Sequence, residues 1–109
     1  NALVTSDGIN DNHWHHVAAV NDGSTIWLYL DGQYTGSSLS SGEGLDSLGW
    51  YLGAQQSLTS GVASYFHQGV IDEFRFSNSV RSAGWIGTEF NNQSSPATFF
   101  SVGSLQSAP

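Results

Sequence analysis

The stretch from His13 to Gly32, His-Trp-His-His-Val-Ala-Ala-Val-Asn-Asp-Gly-Ser-Thr-Ile-Trp-Leu-Tyr-Leu-Asp-Gly, leaves a chain of this kind few ways to fold. From His13 to Val20 large and small side chains alternate, so a strand would put Trp14, His16, Ala18 and Val20 on one face. Asn21-Asp22-Gly23-Ser24 then supplies turn chemistry, because Asp-Gly tolerates the positive φ angles of a two-residue hairpin loop. In the next strand Ile26, Leu28 and Leu30 share one face, and Trp27 and Tyr29 the other. Asp31-Gly32 ends that strand with the same chemistry. The segment predicts a β-hairpin with apolar groups on both faces.

The remaining segments extend this pattern. Gln33 to Leu39 can pair back across Asp31-Gly32 and complete a three-stranded meander. Ala2 to Thr5 is a short strand candidate, and Ser6 to Asn12 a polar loop. Ser40 to Ser47 is rich in serine and glycine and reads as flexible. Leu48 to Ala54 alternates again, with Leu48, Trp50, Leu52 and Ala54 inward and Tyr51 outward; Ser57 to Ser64 is a further loop. Phe66 to Ser77 is the longest strand candidate. Its apolar residues share a face only if a bulge falls near Asp72-Glu73. Ser82 to Asn91 is the one helix candidate: Ser82 can cap it, and Trp85, Ile86 and Phe90 form a stripe. Gly84 and Gly87 keep it short. Ala97 to Val102 reads as a last strand. Short strands with turn signals every ten or so residues predict an all-β, antiparallel sandwich forming a single domain over residues 1–109.

Charge narrows the partners. The net charge is −7, and Arg75 and Arg81 are the only basic side chains apart from histidine. Such a surface repels phosphate backbones and anionic lipid, which excludes nucleic acid as a partner. No apolar run is long enough to enter and cross a bilayer. Cysteine is absent, so disulfides play no part. Methionine is absent too, even at position 1, so the 109 residues read as a processed product or a piece of a longer chain.

Several motifs then occur in a recognisable order. Trp14-His15-His16-Val17-Ala18 is followed by Leu28-Tyr29-Leu30-Asp31-Gly32, Leu52-Gly53-Ala54 and Gly69-Val70-Ile71-Asp72-Glu73-Phe74-Arg75-Phe76. This order resembles that of laminin-G-like, concanavalin-A-like jelly-roll domains. The tail from Arg81 to Pro96 is similar to the bacterial and archaeal branch of those domains, found in large secreted or surface proteins. The resemblance runs over nearly the whole chain from His13 on. It implies a jelly-roll sandwich, an extracellular or cell-surface location, and a role in binding or adhesion. Domains of this kind are longer, and the strands expected before Trp14 are reduced here to Ala2–Thr5. The chain is therefore expected to be incomplete at its N-terminus, with self-association through the exposed edges as the second expectation.

Four groups of residues could carry chemistry. Trp27 and Tyr29, with Tyr51, could form an aromatic platform for the sugar rings of a polysaccharide or glycoprotein glycan; alternatively, absent strands or the Trp85 helix cover that face. The resemblance implies a calcium site at the sandwich rim. Asp7, Asn10 and Asp11 offer hard oxygen ligands for Ca2+, against the alternative of an ordinary Asx-rich turn. His13 and His15 are two apart, the spacing of a transition-metal pair, with His67 as a third ligand; the alternative is that they are surface residues of a structural segment. Asp72, Glu73 and Arg75 form a charged cluster that fits a structural ion pair better than an acid/base pair, because adjacent strand residues point to opposite faces. No nucleophile elbow or phosphate-binding glycine loop is present.

The function expected from the sequence is a non-catalytic carbohydrate-binding or adhesion module. A structural subunit that assembles through sheet edges into a fibre or shell, and a polysaccharide-active enzyme of the same fold, stand as alternatives.

Overall fold

A computed structural model describes residues 9–40, 51–56, 62–99 and 102–107. Expectations for Ala2–Thr5, for residues 41–47, for Leu48 to Trp50 and for Asp7 lie outside these residues. The chain divides into two units, residues 1–41 with 79–109, and residues 42–78.

The first unit is built on the predicted meander. Strands β1 (Val17–Asn21), β2 (Thr25–Leu30) and β3 (Gln33–Leu39) form one antiparallel sheet in that order. The β1–β2 register pairs Ala18 with Tyr29 and Val20 with Trp27, which sets these four side chains on one face. Two turns fix that register. At the first, φ is positive at Gly23 (97°), the leading central residue of a II′-type loop. Asp22 ties the loop down, its Oδ1 accepting from the Ser24 and Thr25 backbone N–H groups, each at 2.8 Å. At the second, Asp31 (φ 50°) and Gly32 (φ 75°) are both left-handed, as a type I′ turn requires. A bulge between Leu28 and Tyr29 leaves Thr35 as the extra residue of β3, and its hydroxyl donates to the Leu28 carbonyl at 3.1 Å.

Helix α1 (Ala83–Ser94) completes this unit and runs three residues past the expected end. Ser82 caps it as predicted, its Oγ accepting from the Trp85 N–H at 3.2 Å. Ile86 is 2% exposed and forms the buried cluster with Val20 and Tyr29, against which Ala18 and Trp27 pack. Phe90 lies over Gly32 and against His16, with ring centroids 6.1 Å apart. Trp85 departs from the expected stripe: it is 42% exposed, and the Arg81 guanidinium sits 4.6 Å from its ring centroid. Ser95 ends the helix, its N–H returning to the Asn91 carbonyl.

The start of the expected last strand is instead helix α2 (Pro96–Phe99), and residues 100–101 lie outside the described residues. Proline suits a first helical position, where no N–H is needed, and both the N–H and the hydroxyl of Thr98 return to the Ser95 carbonyl.

In the second unit, β4 (Gln55–Gln56) pairs with β5 (Ala63–Ser64) in a two-stranded antiparallel ladder. Residues 51–54 are not a strand, because the chain bends at Gly53 (φ 75°), whose carbonyl accepts from the His67 N–H at 2.7 Å. Nor do residues 66–77 form the predicted long strand. Glu73 has φ 53°, and the Asp72 carboxylate takes the Glu73 N–H at 2.8 Å. A left-handed residue with its amide turned to a side chain interrupts an extended ladder more deeply than a one-residue bulge does.

Candidate functional site

The polar feature with the most structure lies where the segment before β1 meets the β2–β3 turn. His15 stands between two carboxylates from different segments: its Nδ1 is 2.8 Å from Asp31 Oδ2, and its Nε2 is 3.0 Å from Asp11 Oδ1. Ionised carboxylates can only accept, so both contacts are hydrogen bonds together when the ring carries a hydrogen on each nitrogen, the imidazolium form. The hydrogen bonds to Asp31, then to Asp11, hold the His15 proton above its ordinary range. The same contacts act on the acids. The His15 hydrogen bond, then the His13 N–H, lowers Asp11 to about 2. Burial pushes Asp31 up, but its bonds to His15 and to the His16 N–H outweigh this and leave it below the usual carboxylate value.

The backbone reinforces the contact. The His16 N–H donates to Asp31 Oδ1 at 2.9 Å, and the Asp31 N–H returns to the His16 carbonyl at 2.8 Å. Asp31 thus serves the turn, the backbone ladder and His15 at once. Nδ1 of His16 is buried with no hydrogen-bond partner among the described residues.

The other sequence-derived candidates fall differently. Tyr29 is only 9% exposed and Trp27 is half-buried against the same cluster, as in the alternative in which the Trp85 helix covers this face. The meander had apolar groups on both faces, and Ile86 of α1 covers the Trp27–Tyr29 side. Tyr29 therefore offers no ring face to a sugar. Trp14, expected on one strand face with His16, Ala18 and Val20, is 70% exposed and lies before β1, in the middle of the histidine segment. Tyr51 is exposed, in the second unit.

His13 and His15 do not pair as metal ligands. Both turn to Asp11, His13 through its backbone N–H at 2.8 Å and its ring Nδ1 at 3.3 Å, and both ring nitrogens of His15 are engaged by carboxylates. Among the described residues no group of three His, Asp or Glu side chains could hold a metal ion. Of the residues offered for calcium, Asp11 is turned to the His13 and His15 rings, and Asp7 lies outside the described residues. Asn10 is exposed, with Asp11 next to it engaged elsewhere.

Arg75 pairs with Glu73 at 2.9 Å, both exposed, in the ion pair expected from the sequence. Among the described residues no helix is long and apolar enough to cross a membrane.

The His15–Asp31 relationship escaped the sequence because its partners are sixteen residues apart. The signal was nevertheless present: Asp31 in a type I′ turn faces the start of β1 once the hairpin closes.

No curated protein matches the chain. A 2.1 Å crystal structure of an S-layer domain-containing protein (residues 221–444) from Clostridium thermocellum is similar to it, with a TM-score of 0.62 and 25% identity. The similarity covers 81% of this chain and 44% of that one, so the chain spans less than half the length of its structural relative. The model of the concanavalin A-like lectin/glucanases superfamily, a laminin-G-type family, matches residues 1–87. With its antiparallel meander and the matched family in agreement, the chain belongs to the concanavalin A-like lectin/glucanases superfamily and to its all-β class.

Proposed function

We propose that the chain is a non-catalytic, glycan-binding module of an extracellular or cell-surface protein, with Trp14 as its stacking residue. The observation that carries this is the exposure of Trp14 within a polar segment. An indole in water beside Asn12, His13 and Asp11 offers a flat apolar face next to groups that bond hydroxyls, the combination that sugar rings require. The superfamily description, which names lectins, and the similarity to an S-layer domain-containing protein support binding at a surface. The superfamily description also names glucanases, but Asp72 and Glu73 are engaged with a backbone amide and with Arg75, which favours a structural role for them.

Affinity electrophoresis through gels loaded with a panel of polysaccharides tests this. Retardation by at least one polysaccharide, lost in Trp14→Ala and kept in Asp72→Asn and Glu73→Gln, is the expected result. Failure of every polysaccharide to retard the chain would overturn it.

A second reading is assembly. Among the described residues β1 and β3 each pair on one side only, and the similar structure comes from an S-layer domain-containing protein. Sedimentation separates the two: a concentration-independent monomer removes assembly through these edges.

A further inference from the structure

The carboxylate of Asp11 invites a cation from its place in an Asx-rich loop, yet among the described residues its hydrogen bonds come from the His13 backbone and the His15 ring. Its Oδ1 accepts from the His15 ring and from the His13 N–H, and its Oδ2 lies 3.3 Å from the His13 ring. His15 is in turn held from the opposite side by Asp31, a residue of the β2–β3 turn, with His16 bonded to the second oxygen of that acid. We propose that Asp11, His15 and Asp31 form a carboxylate–imidazolium–carboxylate clasp that fastens the segment before β1 to the β2–β3 turn, and that Asp11 is a member of this clasp rather than a calcium ligand.

Three features of the geometry lead there. The two bonds of His15 run from opposite ring nitrogens, so one planar group links Asp11 to Asp31 beside the His16–Asp31 backbone pair. The ring is mostly shielded, with 18% of its side chain exposed, whereas Asp11 and Asp31 retain 44% and 36%. Water therefore reaches the acids, which need solvation, more readily than the bonds between them. Finally, the backbone adds a donor to each acid: the His13 N–H serves Asp11, and the His16 N–H serves Asp31. A divalent ion on Asp11 would have to break the His15 bond and stand beside a positive ring, which costs the site twice. The clasp does not depend on Trp14 binding a sugar.

Nitrogen-15 NMR of the histidine rings in the whole chain, at neutral pH and with calcium chloride added to about 1 mM, the weak end of extracellular calcium modules, tests the proposal. Expected is a His15 ring with hydrogens on both nitrogens, unmoved by calcium. In Asp11→Asn the Nε2 signal should shift more than the Nδ1 signal, and in Asp31→Asn the order should reverse. Any calcium bound elsewhere on the chain should bind Asp11→Asn as it binds the unaltered protein. A His15 ring that carries one hydrogen, or that titrates saturably with calcium, would overturn the clasp. So would calcium binding weakened tenfold or more in a folded Asp11→Asn variant. Should that variant fail to fold, the ring state of the unaltered protein and its response to calcium decide the matter alone.

Discussion

Phe90 rests directly on Gly32: a methyl group built on that glycine would lie 3.1 Å from Phe90 Cδ1, 3.2 Å from its Cβ and 3.3 Å from the Gly87 Cα. The helix thus touches the meander at the turn residue whose φ of 75° already favours glycine. Gly32→Ala should be penalised for both reasons. The left-handed backbone alone costs about 1–2 kcal/mol, and the crowding against Phe90 adds to it. Thermal unfolding should show a midpoint lower by roughly 5–10 °C, whereas Gly36→Ala, with open space around it, should move it far less.

Ile86 carries the docking of α1. Its truncation to alanine leaves a cavity against Val20 and Tyr29, and buried Ile→Ala changes cost about 2–5 kcal/mol. Urea unfolding followed by tryptophan fluorescence measures this. A loss below about 0.5 kcal/mol, the range of surface substitutions, would mean that the helix does not rest on this face.

Two tryptophans should separate cleanly. Trp27 packs against the cluster, so Trp27→Ala is expected to destabilise the fold by about 2–4 kcal/mol. Trp14 is exposed, and Trp14→Ala should stay within about 0.5 kcal/mol. Denaturation of both variants, beside their retardation in polysaccharide gels, distinguishes a core aromatic from a binding one.

The clasp gives stability a dependence on pH with a definite sign. His15 is raised above 6.5, so its contribution is complete below that value and is lost as pH rises through the higher folded value. Asp11 is lowered from 3.8 to about 2, so its contribution is present above 3.8 and is lost as pH falls towards 2. A series of melting temperatures from about pH 5 to about pH 9 should therefore decline on the alkaline side, and His15→Gln should flatten that decline. An unchanged alkaline slope in His15→Gln would show that other groups cause it.

Ser82→Ala removes the acceptor for the Trp85 N–H and should cost about 1 kcal/mol, with the helical circular dichroism signal reduced before global unfolding.

The sequence told which residues form the meander and its turns because those features are local. Alternation over Val17–Leu30, Asp-Gly at both turns and serine ahead of the helix all act within a few residues. Which face of β2 is buried could not be read the same way. Ile26, Leu28 and Leu30 are as apolar as Trp27 and Tyr29, and period-two patterning says only that the faces differ. Ile86, nearly sixty residues downstream of β2, makes the choice. The missing strand over residues 66–77 has the opposite cause: the apolar pattern was strand-like, but Asp72 captures the Glu73 amide and turns the backbone left-handed. For the clasp, the residue types were visible as a histidine cluster beside Asp11, yet the same histidines suggested a metal because the second carboxylate, Asp31, arrives only when the hairpin closes.

One consequence concerns how the hairpin opens. Strand pairs ordinarily fray from their free ends, where pairing stops and water enters. Here the end away from the loop is closed by reciprocal bonds between His16 and Asp31, so β1 and β2 are sealed at both extremities. Amide exchange in the two strands should therefore lack the usual gradient, with Val17 and Leu30 as slow as Val20 and Trp27. The first opening should fall instead on β3, whose pairing with β2 is already broken by a bulge.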